Sequence, residues 1–545
     1  MALETGDPHA SAHHDRFARE HLPPPQQLPE FIFEGPELQL PARLNIATEL
    51  LDRPVREGRG DRPCVLGHGI RWSYAELLAH SNRIARVLVH EQGLVPGQRV
   101  LLRGANSPWL AACWMAVVKA GGIAVGTMPL LRARELKVII DKAQVSHALC
   151  DTRLADELDA ARAECPGLTQ LLHFNGAAGA GSLEARAAAQ PAQFDNVDTA
   201  ADDCCLMAFT SGTTGVPKGT MHFHRDLLAA TRCWPPHVLR AHADDVFIGS
   251  PPLAFTFGLG GLLVFPLAIG ASTVLIERAS PDALLPAIAE FKASVCFTAP
   301  TSYRAMAAAV AQHDLRSLRK CVSAGEALPA ATRQLWQQAT GIRIIDGIGS
   351  TEMFHIFISA TEEQARGGAT GYVVPGYRAA VLDDQGRELP PGQVGRLAVK
   401  GPTGCKYLAD ERQTSYVQNG WNLTGDAYLI DTDGQFVYQA RTDDMIISGG
   451  YNIAGPEVEG ALLLHPAVAE CGVVGQPDEA RGMVVKAYVV LKPGQEANAE
   501  MVKTLQDWVK QTIAPYKYPR DVVFRSSLPR TETGKLQRFR LRQES

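Results

Sequence analysis

Residues 210–219 read Thr210-Ser211-Gly212-Thr213-Thr214-Gly215-Val216-Pro217-Lys218-Gly219. Just before them Cys205-Leu206-Met207-Ala208-Phe209 is a short apolar run, and Gly219-Thr220-Met221-His222-Phe223 reads as a second short strand. The stretch is therefore a polar turn between two strands. It holds four hydroxyls, three glycines and one lysine. Glycines let backbone N–H groups converge on an anion, hydroxyls add donors, and Lys218 adds a compact positive charge. That chemistry holds the β- and γ-phosphates of a nucleotide, with Thr210, Ser211, Gly212, Thr213, Thr214, Gly215 and Lys218 as the candidate contacts. The stretch differs from the loop that ends Gly-Lys-Ser/Thr and opens a helix, because Pro217 precedes Lys218 and a strand follows.

Around this turn the chain alternates strand and helix patterns. Strands are expected at 99–103, 123–126, 246–249, 273–276, 295–298, 320–323 and 343–346. Helices are expected at 74–90, 107–120 and 134–143, the first with Leu77, Leu78, Ile84 and Val87 on one face. This alternation predicts an α/β protein with mostly parallel sheets flanked by helices. A β-rich part follows, with strands at 378–382, 395–399 and 435–438. After Arg441 the pattern becomes strands and helices of a small α+β unit, including a helix at 500–513 with Met501, Val502, Leu505, Trp508 and Val509 at helical spacing. The expected division is a large N-terminal domain, 1–440, and a small C-terminal domain, 441–545. Residues 1–43 are a Pro-rich leader, read as an extended arm. Residues 174–199, rich in Gly and Ala, read as a surface connection.

Composition narrows the function. The chain has 545 residues, 46% hydrophobic and 20% charged, with a formal net charge of −5. No strong bias of sign points to nucleic acid or a membrane surface. The 247–276 stretch has no charged residue, but Pro251, Pro252, Gly258, Gly260, Gly261, Pro266 and Gly270 interrupt it, so it reads as a buried segment rather than a membrane span. The 11 cysteines show no CxxC pair and no zinc spacing. With 1–19 polar and His-rich, they read as reduced core thiols of a cytoplasmic protein.

Five further stretches carry chemistry. In Val322-Ser323-Ala324-Gly325-Glu326 a strand ends on a glycine turn, the place where ligands bind in open α/β sheets. In Asp346-Gly347-Ile348-Gly349-Ser350-Thr351-Glu352 a strand runs into glycines, a hydroxyl and a carboxylate. Mg²⁺ takes oxygen ligands, usually one carboxylate with phosphates and water. Glu352 is the candidate metal ligand and Thr351 the candidate hydroxyl donor to an α-phosphate. In Leu423-Thr424-Gly425-Asp426 the carboxylate suits a ribose diol. The remaining two are Arg441-Thr442-Asp443-Asp444 running on to Gly449-Gly450, and Pro529-Arg530-Thr531-Glu532-Thr533-Gly534-Lys535.

The six stretches, in this order, resemble the motifs of the adenylate-forming enzymes: acyl- and aryl-CoA ligases, luciferases and peptide-synthetase adenylation domains. The resemblance runs from about Trp72 to Arg542. It implies that the turn at Gly325 and Glu326 packs on adenine, together with Asp346 and Ile348. Ile348 stands where many relatives carry an aromatic residue and offers only aliphatic contact. Asp426 and Arg441 fall on the ribose, Asp443 on the hinge of a mobile small domain, and Gly450 on the loop lining the thiol tunnel. Lys535 matches the lysine that bridges the acid carboxylate and the α-phosphate. Tyr516, Arg520 and Arg481 match positions used for the nucleotide end of CoA. The cofactors implied are ATP, Mg²⁺ and coenzyme A.

For the acid, the resemblance places Phe255 of Pro252-Leu253-Ala254-Phe255-Thr256-Phe257-Gly258 at the aromatic gate, with Phe257, Gly349 and His355 as the other candidate acid-binding residues. The run 347–357, read with the leader and Met221-His222-Phe223-His224-Arg225-Asp226, resembles the benzoate-CoA ligase branch and is similar to bacterial 2-aminobenzoate-CoA ligases. Benzoate and salicylate stay open, as does loading of a carrier-protein thiol in place of CoA. A non-catalytic nucleotide-binding protein is disfavoured because Lys218, Glu352, Asp426 and Lys535 occur together. Monomer and homodimer are both compatible with the sequence.

Overall fold

The computed structural model describes residues 7, 9–176, 179, 181–210, 217–442, 444–448, 451–478, 481–530 and 535–544. Among these, the strands form four sheets. Two are mostly parallel. A six-stranded sheet runs from Gln170–Phe174 through the central strands Val145–Asp151, Arg99–Arg103 and Ile123–Thr127 to the hairpin Cys204–Thr210 and Lys218–Phe223. A nine-stranded sheet is parallel through Pro63–Gly67, Ser272–Val274, Val246–Gly249, Val295–Thr298, Lys320–Ser323 and Ile344–Gly349, with antiparallel strands at both edges. The expected α/β class is observed, and strands 99–103, 246–249, 295–298 and 320–323 have the bounds read from the sequence.

The helix Pro108–Lys119 touches strands of both sheets, which explains why nearly all of it is buried and why it is apolar all round. Ser107 caps it, accepting from Leu110 N at 3.2 Å, and Pro108 occupies its first turn, where no N–H is needed. Its last residue, Lys119, is fully buried and reaches Asp52 Oδ1 at 2.7 Å. Helix Tyr74–Arg86 lies beside it and starts with a reciprocal cap, Ser73 Oγ accepting from Glu76 N and Glu76 Oε2 from Ser73 N.

Two details differ from the sequence reading. The strand 343–346 extends to Gly349, so Gly347 and Gly349 lie within it: a Cβ on Gly349 would stand 2.5 Å from the carbonyl oxygen of His355, just before the neighbouring strand Ile356–Ser359. The 174–199 connection contains a helix, Leu183–Ala188, because Leu183 and Ala187 have a core to enter. The 247–276 stretch follows its reading as a buried segment: the end of strand Val246–Gly249, a loop, a helical run from Thr256 to Ala268 and strand Ser272–Val274; no described helix is long and apolar enough to cross a membrane.

The β-rich part is a five-stranded antiparallel sheet in which Trp421–Ile430 pairs with Gly395–Lys400 on one side and Phe436–Arg441 on the other. The leader ties this sheet to the rest. Asp15 pairs with Arg99 at 2.8 Å, and farther along Glu30 N and Ile32 N each donate at 2.9 Å to the carbonyls of Gly420 and Gly401. The C-terminal part has its own apolar cluster, including Ile446, Val458, Leu462, Val473, Val485, Leu505 and Val509.

A buried ion pair joins the β-rich region to the hairpin. Lys406 Nζ lies 2.7 Å from Asp226 Oδ2, and both side chains are fully buried. Asp226 also accepts from Phe223 N at 3.0 Å, and Lys406 donates to the Gly404 carbonyl at 3.1 Å. Removing one partner leaves an uncompensated charge in the interior. Asp226→Ala should therefore destabilise the protein by about 3–5 kcal/mol, seen as a lowered denaturation midpoint; an unchanged midpoint would contradict this account.

Candidate active site

The hairpin forms as the sequence predicts: Thr210 stands directly opposite Lys218 in an antiparallel pair. Ser211, Gly212, Thr213, Thr214 and Gly215, at its tip, lie outside the described residues, as do Asp443, Gly449 and Gly450. A strand places alternate residues on one face, so Lys218, Thr220 and His222 point the same way. That face meets the turn carrying Thr351 and Glu352.

The meeting is made at two points. His222 Nε2 lies 2.8 Å from the Thr351 carbonyl oxygen, which requires a proton on Nε2. The same carbonyl accepts from Phe354 N at 3.1 Å. Phe354 has φ 69°, a left-handed conformation that costs a bulky residue roughly 1–3 kcal/mol. Its ring sits edge-on to His222 at 5.6 Å. At the second point the Tyr407 hydroxyl donates to Glu352 Oε1 at 2.5 Å and accepts from Lys218 Nζ at 3.3 Å. Tyr407 and Glu352 are both buried. Tyr407 and His222 were not selected by sequence. The alternation Lys218/Thr220/His222 was a usable signal for His222; nothing local marks Tyr407.

Opposite this turn stands Lys535. Its pKa is lowered, first by loss of hydration, with Glu326, Asp426 and Glu352 acting to raise it and Arg441 to lower it further. Charges from four of the sequence-selected stretches thus act on one ammonium group. Gly325 has φ +90°, and a Cβ there would lie 3.4 Å from Lys535 Cε, so the turn leaves room for the lysine stem. Glu326 is held by Arg530 at 3.5 Å, an ion pair between the large part of the chain and its C-terminal part. Asp426 and Arg441 are cross-strand neighbours, with Arg441 Nη1 3.2 Å from Asp426 Oδ1 and 3.0 Å from the Thr424 carbonyl. Burial raises the Asp426 pKa, against Arg441.

Asp346 and His355 are buried polar groups without full satisfaction. Asp346 Oδ1 and both ring nitrogens of His355 lack a hydrogen-bond partner among the described residues. Burial lowers the His355 pKa to about 3, against a smaller pull from the Phe257 backbone, so the ring is neutral. Trp234, Phe257, Phe265 and Phe297 surround it, with centroids 4.5–6.4 Å away. A Cβ on Gly260 would stand 2.5 Å from the His355 ring, so that glycine makes the space. Phe255, half-buried at the start of helix Thr256–Leu259, is not among the rings around His355. Ile348 is half-buried and packs on the large core. Tyr516 and Arg520 lie on the C-terminal part: Tyr516 is exposed and stacked on Tyr451 at 4.6 Å, and Arg520 donates to the Tyr518 hydroxyl at 3.0 Å. All eleven cysteines are buried and free.

The Lys218–Phe223 strand, the Thr351–Glu352 turn, the Asp426/Arg441 pair and Lys535 thus come from both the large part of the chain and its C-terminal part. The chain belongs to the AMP-binding enzyme family of adenylate-forming acid–thiol ligases, matching it over residues 51–407 and its C-terminal domain over 457–535. It is similar to the benzoate–CoA ligase of Thauera aromatica, 36% identical over 514 residues that cover 93% of this chain and 97% of that protein. Among solved structures it is similar to an anthranilate CoA ligase in complex with anthranoyl-AMP, with a TM-score of 0.88 at 34% identity, covering 94% of this chain and 99% of that one. A benzoate CoA ligase from Burkholderia xenovorans LB400 has a TM-score of 0.83 at 31% identity, covering 92% and 100%.

The Asp346 carboxyl carries a pH signature. Burial pushes its pKa from 3.8 up to about 6, outweighing the nearby Arg333 guanidinium. A carboxyl raised on folding binds its proton more tightly in the folded state. Its contribution to stability is present below about pH 4 and is lost as pH rises through 6, a swing of at most about 3 kcal/mol. Asp346→Asn should remove that slope in unfolding measurements between pH 4 and 7. An unaltered slope in the variant would mean that Asp346 is not the group responsible.

Proposed function

We propose that the protein is an ATP-dependent aryl-CoA ligase, with 2-aminobenzoate as its acid. The observation that carries the reading is Lys535 against the Gly325 turn, 3.4 Å from where a Cβ on that glycine would stand, with the charges of Glu326, Asp426, Arg441 and Glu352 acting on its ammonium. This is the arrangement suited to the first of two steps. The acid carboxylate attacks the α-phosphorus of ATP, a P–O bond to pyrophosphate breaks, and aryl-AMP forms. The CoA thiolate then attacks the acyl carbon and AMP leaves. Neither step needs a side-chain nucleophile, so the residues position the reactants and stabilise charge.

In this reading the hairpin tip and Lys218 hold the β- and γ-phosphates, Thr351 the α-phosphate, and Asp426 with Arg441 the ribose. The unpaired Oδ1 of Asp346 suits the exocyclic amine of adenine, with Gly325 and Ile348 against its faces. Glu352 would hold Mg²⁺, which when bound neutralises charge on the polyphosphate. One carboxylate beside the Thr351 hydroxyl is a donor set that fits a cation taking few protein ligands along with phosphate oxygens and water. Residues 1–440 form the body and 441–545 a lid that turns about Asp443 between the steps. The turn brings Gly450 to the thiol passage, with Tyr516 and Arg520 toward the CoA nucleotide.

Lys535→Ala tests the two-pose scheme. A preorganised cation where charge develops is typically worth about 10²–10³ in rate, so aryl-AMP formation should fall by that factor. Conversion of supplied aryl-AMP with CoA should be nearly unchanged. A parallel loss of both half-reactions would refute the scheme.

The relatives named benzoate and anthranilate CoA ligases favour a small aryl acid. His355, neutral and enclosed by aromatic rings, can accept from or donate to an ortho substituent. ATP–pyrophosphate exchange over a panel of acids should show aryl acids exceeding octanoate by at least about tenfold in kcat/KM, roughly 1.4 kcal/mol. His355→Ala should lower the 2-aminobenzoate-to-benzoate ratio. Comparable octanoate turnover would remove the aryl assignment, and an unchanged ratio would remove the His355 role.

A further inference from the structure

Glu352 and Lys218 are opposite charges on neighbouring elements, and both face the same space. Left to themselves they would pair and neutralise each other. The group between them is the Tyr407 hydroxyl, 2.5 Å from Glu352 Oε1 and 3.3 Å from Lys218 Nζ. A phenol has one proton to give and lone pairs to receive. A carboxylate can only accept and an ammonium can only donate. One arrangement satisfies all three: Tyr407 donates to Glu352 and accepts from Lys218.

The phenol is held from three sides. Residues 406–408 lie along the free edge of strand Lys218–Phe223: Met221 N donates to the Lys406 carbonyl and Leu408 N to the Gly219 carbonyl, each at 2.8 Å. Lys406 anchors the segment through the buried Asp226 pair. The Tyr407 ring packs edge-on against Tyr416 at 5.7 Å, whose hydroxyl meets Ser350 Oγ at 3.2 Å, within the same turn as Glu352.

We propose that Tyr407 is a positioning residue for nucleotide activation: its hydroxyl pins one oxygen of Glu352 so that the other faces a divalent cation, and it keeps Lys218 available to phosphate. The proposal rests on the reading of Glu352 as metal ligand and Lys218 as phosphate contact. Partners that orient a metal ligand typically affect metal affinity by about 10–100-fold.

The test is a double-mutant cycle of Tyr407→Phe and Glu352→Gln, with Mn²⁺ affinity measured by electron paramagnetic resonance on the full chain holding a non-hydrolysable ATP analogue. Tyr407→Phe retains the ring and its packing. It should weaken Mn²⁺ by about tenfold and raise the Mg²⁺ concentration for half-maximal pyrophosphate exchange similarly. Conversion of supplied aryl-AMP with CoA should stay at the wild-type rate. In the Glu352→Gln background Tyr407→Phe should add nothing. If Glu352→Gln weakens Mn²⁺ but Tyr407→Phe does not, or if the two effects add, the positioning role is overturned while the metal assignment stands. If Glu352→Gln itself leaves Mn²⁺ affinity unchanged, the metal assignment falls and this inference with it. Loss of both half-reactions in Tyr407→Phe would mark a structural role and also overturn the proposal.

Discussion

The site depends on a lysine and an aspartate that no solvent reaches. Lys406 and Asp226 come from regions far apart in sequence, and each would be costly to bury alone. Together they fasten the β-rich part of the chain against the hairpin that begins with the polar turn. Everything built on that seam inherits its position: Tyr407 beside Lys406, Lys218 and His222 on the facing strand, and the Thr351–Glu352 turn held to both. A flexible seam would leave the carboxylate and the lysine at variable separation. Because electrostatic catalysis relies on groups already in place, rigidity here matters more than any single contact.

The opposite wall follows a different principle. Lys535 is brought in by the C-terminal part, through Arg530 on Glu326, rather than built into the core. Its charge is favoured by three carboxylates and disfavoured by lost hydration and by Arg441. Such a balance suits a group that enters and leaves. One wall is thus fixed by a buried ion pair and the other joined through a partly exposed one, which is what the proposed two-step scheme asks of them.

Two buried groups flanking the Thr351–Glu352 turn combine enclosure with unmet polar capacity. His355 sits among aromatic rings, and among the described residues its ring nitrogens and the Asp346 Oδ1 have no partner within hydrogen-bond geometry. Buried polar groups in folded proteins are nearly always satisfied, so each exception asks for a ligand or a function. These two lie on or just beyond the strand that leads to Glu352.

Much of this was legible in the amino-acid sequence. The polar turn, the glycine turn at Gly325, the Thr-Gly-Asp stretch and the strand–helix alternation are properties of short windows, governed by backbone freedom and period. Lys218, Glu352, Asp426, Arg441 and Lys535 could be chosen from such windows because their neighbours are distinctive. Tyr407 could not. It stands 189 residues from Lys218, in a loop with no signature, and becomes important only because two sheets and a buried ion pair bring it there. His355 could be named, but whether it is charged could not be read, since burial sets that and burial is decided by tertiary packing. Sequence alone determined which chemistries the chain can assemble. The tertiary structure decided which groups touch, because long-range contacts depend on strand order and packing rather than on any local pattern.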